Sequence, residues 1–70
     1  MNKALFKCHM SLNGDSVESL AEALNIHPVT LYDKINGVAP FKSPEMESIV
    51  RRWNLTGDEI KDIFFKTKSA

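Results

Sequence analysis

Apolar residues recur along this chain in short bursts spaced three and four apart, and each burst ends at a helix-breaking signal. That spacing stacks side chains on one face of a helix with 3.6 residues per turn. No hairpin signal interrupts the pattern. The pattern predicts five helices of about 8–12 residues, joined by connections of about two to six. The first runs from about Asn2 to Leu12, with Leu5, Cys8, His9 and Leu12 on one face, and Asn13-Gly14 breaks it. The second starts at Asp15 or Ser16, where Glu18 follows Asp15 at capping-box spacing. Val17, Leu20, Ala21 and Leu24 then form an amphipathic stripe.

Asn25-Ile26-His27 reads as a turn, and Pro28 opens the third helix, where a missing N–H costs nothing. That helix carries Leu31 and Ile35 inward and runs to about Asn36, with Gly37 as its stop. After a loop from Val38 to Lys42, Ser43-Pro44 starts the fourth helix, striped with Met46, Ile49, Val50 and Trp53. Asn54-Leu55 closes it. Thr56 and Glu59 form a last capping box, and the fifth helix shows Ile60, Ile63 and Phe64. LAEALNI and VRRWNLT echo each other as a helix followed by an Asn turn, which is shared helix-ending chemistry and not a solenoid repeat. The expected organisation is one domain over residues 1–66 and a polar tail over residues 67–70.

Composition narrows this picture. Seventy residues make one small domain that buries only about 60% of its unfolded surface. That leaves no room for an enzyme cleft with separate binding and catalytic walls. No apolar run reaches the roughly 18 residues needed to cross a bilayer, and the N-terminus lacks the apolar core of a secretory signal. The lone Cys8 excludes an internal disulfide and fits a reducing cytoplasm. With no CxxC or HxxxH spacing, neither a metal site nor a cofactor is expected, and Cys8 reads as a small core residue. Net charge is zero, nine basic against nine acidic residues. Affinity for a polyanion must therefore come from how charge is distributed.

The segment Val17 to Gly37 has the spacing of a helix-turn-helix. Ala21 supplies the small residue where the two helices cross, Ile26 plugs the turn, and Leu20, Leu24, Leu31 and Ile35 supply the shared core. The order SxxxLAxxLxIxxxTLxxxING, carried by Ser16, Leu20, Ala21, Leu24, Ile26, Thr30, Leu31, Ile35, Asn36 and Gly37, resembles the lambda-repressor-like family of phage repressors, Cro-like proteins and related bacterial regulators. The later FxSPExxxIVxxWNLTxDEIxDIFF is similar to the fourth and fifth helices of small phage regulators of that type. The resemblance spans about Asn13 to Phe65. It implies an all-α, compact five-helix lambda-repressor-like DNA-binding domain with the helix-turn-helix at helices 2 and 3.

The same resemblance implies that helix 3 reads operator DNA in a bacterial cytoplasm. His27, Pro28, Val29, Thr30, Tyr32 and Asp33 would meet base edges, and Lys34, Lys42 and Ser43 would meet phosphates. Relatives dimerise over two half-sites about one helical turn, roughly 34 Å, apart. The function implied is a transcriptional regulator of a genetic switch, repressing by occluding polymerase, without a small-molecule ligand. This chain departs from the pattern at two positions. Val17 stands where a polar residue usually opens helix 2 and binds a phosphate, and Asp33 stands where a basic or polar donor is common. Asp15, Glu18 and Glu22 make helix 2 acidic, while Lys34, Lys42, Arg51 and Arg52 form a basic rim. These features fit an alternative, a modulator or antirepressor that acts on a partner repressor protein with or without DNA.

Individual residues carry plainer readings too. His27 either reads a guanine or caps helix 3. Thr30 either donates to a phosphate or serves local helix-start chemistry, and Tyr32 either meets a base or is a half-buried surface ring. Trp53 is a core anchor or an interface hot spot. Phe64 and Phe65 are adjacent, so they cannot both face one core. Phe65 is expected to be exposed or buried in a homodimer, through an interface at the end of helix 5.

Overall fold

The computed structural model describes residues 1–65. The polar tail expected over residues 67–70, and residue 66 of the expected domain, lie outside the described residues. The described residues form α1 (Lys3–Leu12), α2 (Val17–Leu24), α3 (Pro28–Ile35), α4 (Ser43–Trp53) and α5 (Gly57–Ile60), the last widening into a π-helical turn, Lys61–Phe65. No strand occurs among them. The all-helical expectation holds, and the radius of gyration, 11.2 Å, is that of a close-packed chain of this size.

Local chemistry sets the boundaries. The Asn2 side chain accepts the Leu5 amide to cap α1. Ser16 caps α2 by accepting the Ser19 amide, while the Ser19 hydroxyl accepts the Ser16 amide. The reciprocal box therefore pairs Ser16 with Ser19, not Asp15 with Glu18 as the spacing suggested. Asp15 is used elsewhere in the fold. Thr56 and Glu59 form their box as expected. In α4 the cap position is Lys42, one residue before Ser43. Lysine has no acceptor, so only the return half forms, with Glu45 accepting the Lys42 amide at 2.8 Å.

Helix ends close by one device used four times. A residue with positive φ (Gly14, Asn25, Gly37 or Asn54) turns the chain, and the next amide reaches back to a carbonyl of the last turn. Val38 bonds Asp33 at 2.8 Å, and Ile26 and Leu55 bond Ala21 and Val50 at 3.0 Å each. The echo between the two Asn turns is thus a shared left-handed cap.

The core draws on α1 to α4, the turn after α4 and the π turn. Phe6, Leu20, Leu31, Ile49 and Ile63 are fully buried, and Val17, Ala21, Ile35, Trp53 and Leu55 complete the cluster. Stripes on α2, α3 and α4 face inward as expected. The stripe on α1 does not. Phe6, with Leu5 and Met10 against it, is the inner face, while Cys8 and Leu12 are exposed. Cys8 is therefore not a core residue. Phe6 wins because a ring offers more apolar surface than a thiol, and its neighbours are aromatic. Its centroid lies 5.1 Å from Trp53, 5.6 Å from Phe41 and 6.1 Å from Phe64.

The fifth helix carries Ile60, Ile63 and Phe64 as its apolar spacing predicted, but only its first turn is α-helical. One α-helical turn gives way to the wider π turn, which buries Ile63, sets Phe64 against Phe6 and Phe41, and frees the Ile63 carbonyl to accept the Asn2 amide at 2.8 Å. This bond ties the π turn to the start of α1.

Candidate nucleic-acid interface

α2 and α3 pack as a two-helix unit across the Asn25–His27 turn. Ala21 is buried at the junction, and its carbonyl accepts the Ile26 amide. Ile26 and Leu24 are half-buried against the core, and Leu31 and Ile35 hold the inner face of α3. What remains outside on α3 is the set expected to face a partner. Val29 is 60% exposed and Tyr32 46% exposed, Thr30 and His27 are exposed, and Pro28 and Asp33 are half-buried.

His27 is spoken for at one nitrogen. Its Nδ1 accepts the Val29 amide at 3.2 Å and caps α3. An accepting Nδ1 leaves the ring proton on Nε2, which points the remaining donor away from the helix start.

Two cations of the expected basic rim are used internally. Lys34, expected at the phosphate edge, is only 6% exposed. Its ammonium donates to the Pro40 carbonyl at 3.0 Å and pairs with Glu45 at 3.1 Å. The reason is position: Lys34 adjoins Ile35 on the buried side of α3, and its long stem crosses apolar surface to reach a polar end. Burial pushes the Glu45 carboxyl up, but the Lys42 amide and the Lys34 ammonium outweigh it and hold the group below its ordinary value. This pair ties the start of α4, and with it exposed Lys42 and Ser43, to the C-terminal half of α3.

Arg52 is the second. Its Nε and Nη2 donate to the two oxygens of Asp15, each at 2.8 Å. Trp53 Nε1 donates to the same carboxylate at 2.6 Å, and the Ser19 hydroxyl at 2.8 Å. The Asp15 side chain is 5% exposed. The Arg52 guanidinium, against the opposing push of burial and helped by Trp53 and Ser19, holds it well below the usual carboxylate range. Local spacing offers Asp15 or Ser16 as the cap of α2 and places Arg52 in the basic rim. The signal joining them is a sequence separation of 37, which no local pattern carries.

The opening of α2 is closed to a phosphate at its side chains. Val17 is buried, Ser16 and Ser19 satisfy each other, and Glu18 and Glu22 are exposed. Lys42, Ser43 and Arg51 are exposed. At the far end, Phe64 packs within the chain, 5.6 Å from Phe41, whereas Phe65 is 61% exposed. A shallow groove of about 390 Å³ lined by Met46, Val50, Ile60 and Phe65 lies beside it. Trp53 is a buried core anchor, not a surface residue.

Among the described residues no group of three or more His, Cys, Asp or Glu is placed to hold a metal ion, and no helix is long and apolar enough to cross a membrane. No protein-family model matches this chain, and neither a curated protein nor a solved structure matches it.

Proposed function

We propose that this chain is a helix-turn-helix transcriptional regulator of lambda-repressor-like type. In this reading α3 enters the major groove of double-stranded operator DNA and represses transcription by occluding polymerase in a bacterial cytoplasm. The observation that carries it is the α2–α3 unit. Ala21 closes the crossing, Leu31 and Ile35 fix the inner face, and Val29, Thr30 and Tyr32 stand exposed on the outer face of a helix started by His27 and Pro28. Lys42 and Ser43, held beside α3 through the Lys34–Glu45 pair, supply phosphate contacts. Lys34 does not, because its charge is spent inside.

A second reading has its own support. Lys34 and Arg52 are neutralised within the chain, which weakens the grip on a polyanion and leaves an outer α3 face of mixed apolar character. That face suits a partner repressor protein, and the chain would then be a modulator or antirepressor. In either role Phe65 is the residue offered for contact with a second copy.

Selection from a random duplex pool at about 0.1 M salt, where the Debye length is about 10 Å, tests the reading. Enrichment of a short palindrome, lost in Tyr32→Ala and Thr30→Ala, is the expected result. Retention of operator affinity in both variants refutes the assignment of α3, and recovery of no site moves the function to the partner-protein role.

A further inference from the structure

The outer face of α3 lacks the groups that read purines by paired hydrogen bonds. Guanine is taken at O6 and N7 by Arg or Lys, and adenine at N7 and N6 by Asn or Gln. From His27 to Ile35 there is no Arg, Asn or Gln, and the one Lys is buried and bound to Pro40 and Glu45. The exposed groups are the isopropyl of Val29, the ring of Tyr32 and the methyl and hydroxyl of Thr30. The hydroxyls and His27 Nε2 offer single-point hydrogen bonds only. Asp33 only accepts, so it can bond the amino group of cytosine or adenine but neither acceptor of guanine.

Val29 sits on a helix whose buried face is already complete. A β-branched residue is a poor choice for an exposed helical position on propensity alone. Its apolar surface has a natural counterpart in the major groove, the C5-methyl of thymine, which is the one apolar group a base edge presents there. Resting on the operator-binding reading above, we infer that α3 recognises thymine methyls. The base pairs under its N-terminal half are A·T, packed against Val29 and Tyr32, and guanine N7 is left unread. Lys42 and Ser43 set the register on the backbone without contributing sequence information.

The test uses the full chain and the duplex selected above, with each thymine replaced in turn by deoxyuridine, which removes only the methyl. Loss of one buried methyl weakens binding about fourfold. The replacement under α3 should show that loss in the parent chain and almost none in Val29→Ala. This variant keeps the helix because alanine is the better helix former. The parent chain, the variant and the two duplexes form a cycle that removes any effect of deoxyuridine on DNA shape. Replacing guanines by 7-deazaguanine should leave affinity within about twofold. Equal binding of thymine and deoxyuridine duplexes, a methyl effect unchanged in Val29→Ala, or a larger loss from 7-deazaguanine overturns thymine recognition while leaving operator binding standing. Failure to bind any duplex even at low salt overturns both.

Discussion

Replacing Asp15 probes the cluster that joins the start of α2 to the end of α4. The carboxylate accepts four hydrogen bonds, two from Arg52 and one each from Trp53 and Ser19. The consequences differ by donor. Arg52 can turn to water, and the Ser19 hydroxyl lies 3.2 Å from the Ser16 carbonyl and can turn to it. The buried Trp53 N–H has neither option. In Asp15→Ala that donor is orphaned, at about 1–3 kcal/mol, and the charge-assisted bonds vanish as well. A total near 3 kcal/mol follows, most of it from the orphaned Trp53 donor, because Arg52 is exposed and its charge is not left buried. Asp15→Asn can keep one oxygen on Trp53 and should cost about 1–2 kcal/mol.

Urea unfolding read by the fluorescence of Trp53, the single tryptophan, reports at the site itself. With a slope near 1 kcal/mol per molar, the alanine variant should lower the midpoint by about 3 M, and the asparagine variant by about half that. The pH dependence supplies an independent check. The folded pKa of Asp15 is depressed, so its contribution is complete at neutral pH and is lost as pH falls below the ordinary carboxylate range towards the folded value. The difference between the parent chain and Asp15→Asn should therefore shrink from pH 5 towards pH 2. An alanine cost under about 1 kcal/mol, or a difference that does not change with pH, refutes this role of the Asp15 cluster.

Other perturbations have equally definite outcomes. Lys34→Ala should cost about 2 kcal/mol by leaving the Glu45 carboxylate short of its cation, and adding Glu45→Gln should cost less than the sum of the two; chemical denaturation of the four-member cycle measures the coupling. Gly37→Ala should lose about 1 kcal/mol in thermal unfolding, because φ is +82° with open space around it and only the backbone objects. Asn25→Gly, at φ 59°, should be neutral or gain a few tenths of a kcal/mol. Phe65→Glu should change stability by less than about 0.5 kcal/mol, since the ring is exposed. In sedimentation it should lower the mass of a homodimer to that of a monomer; an unchanged mass excludes this face as the contact.

What sequence reading captures here is chemistry that acts over a few residues. The Ser16 start, Pro28, the Gly37 stop and the Thr56–Glu59 box all stand where spacing puts them, because a cap needs only its own turn. Stripes on α2 to α4 are legible for the same reason. α1 is different. Two stripes compete on it, Leu5–Cys8–His9–Leu12 and Phe6–Met10, and the choice depends on Phe41, Trp53 and Phe64, which arrive from elsewhere. The weight of one ring against a thiol was the available clue. Lys34 and Arg52 mislead in another way: a cation at a rim position looks solvated until the acid that claims it is known, and both acids lie beyond the helix that carries the cation.

The ring cluster around Phe6 also orders events in time. Phe6 is made before every ring that encloses it, all of which lie at or beyond position 41, and Asp15 waits for Arg52 and Trp53. During synthesis from the N-terminus, α1 to α3 emerge with their largest apolar side chain uncovered and their buried acid unpaired. The α2–α3 unit keeps its own contacts at Ala21, Leu31 and Ile35, but these belong to a cluster that only Ile49, Trp53 and Ile63 complete. A chain cut before position 41 should therefore lack a stable fold, because Phe6 and Asp15 lose their partners together.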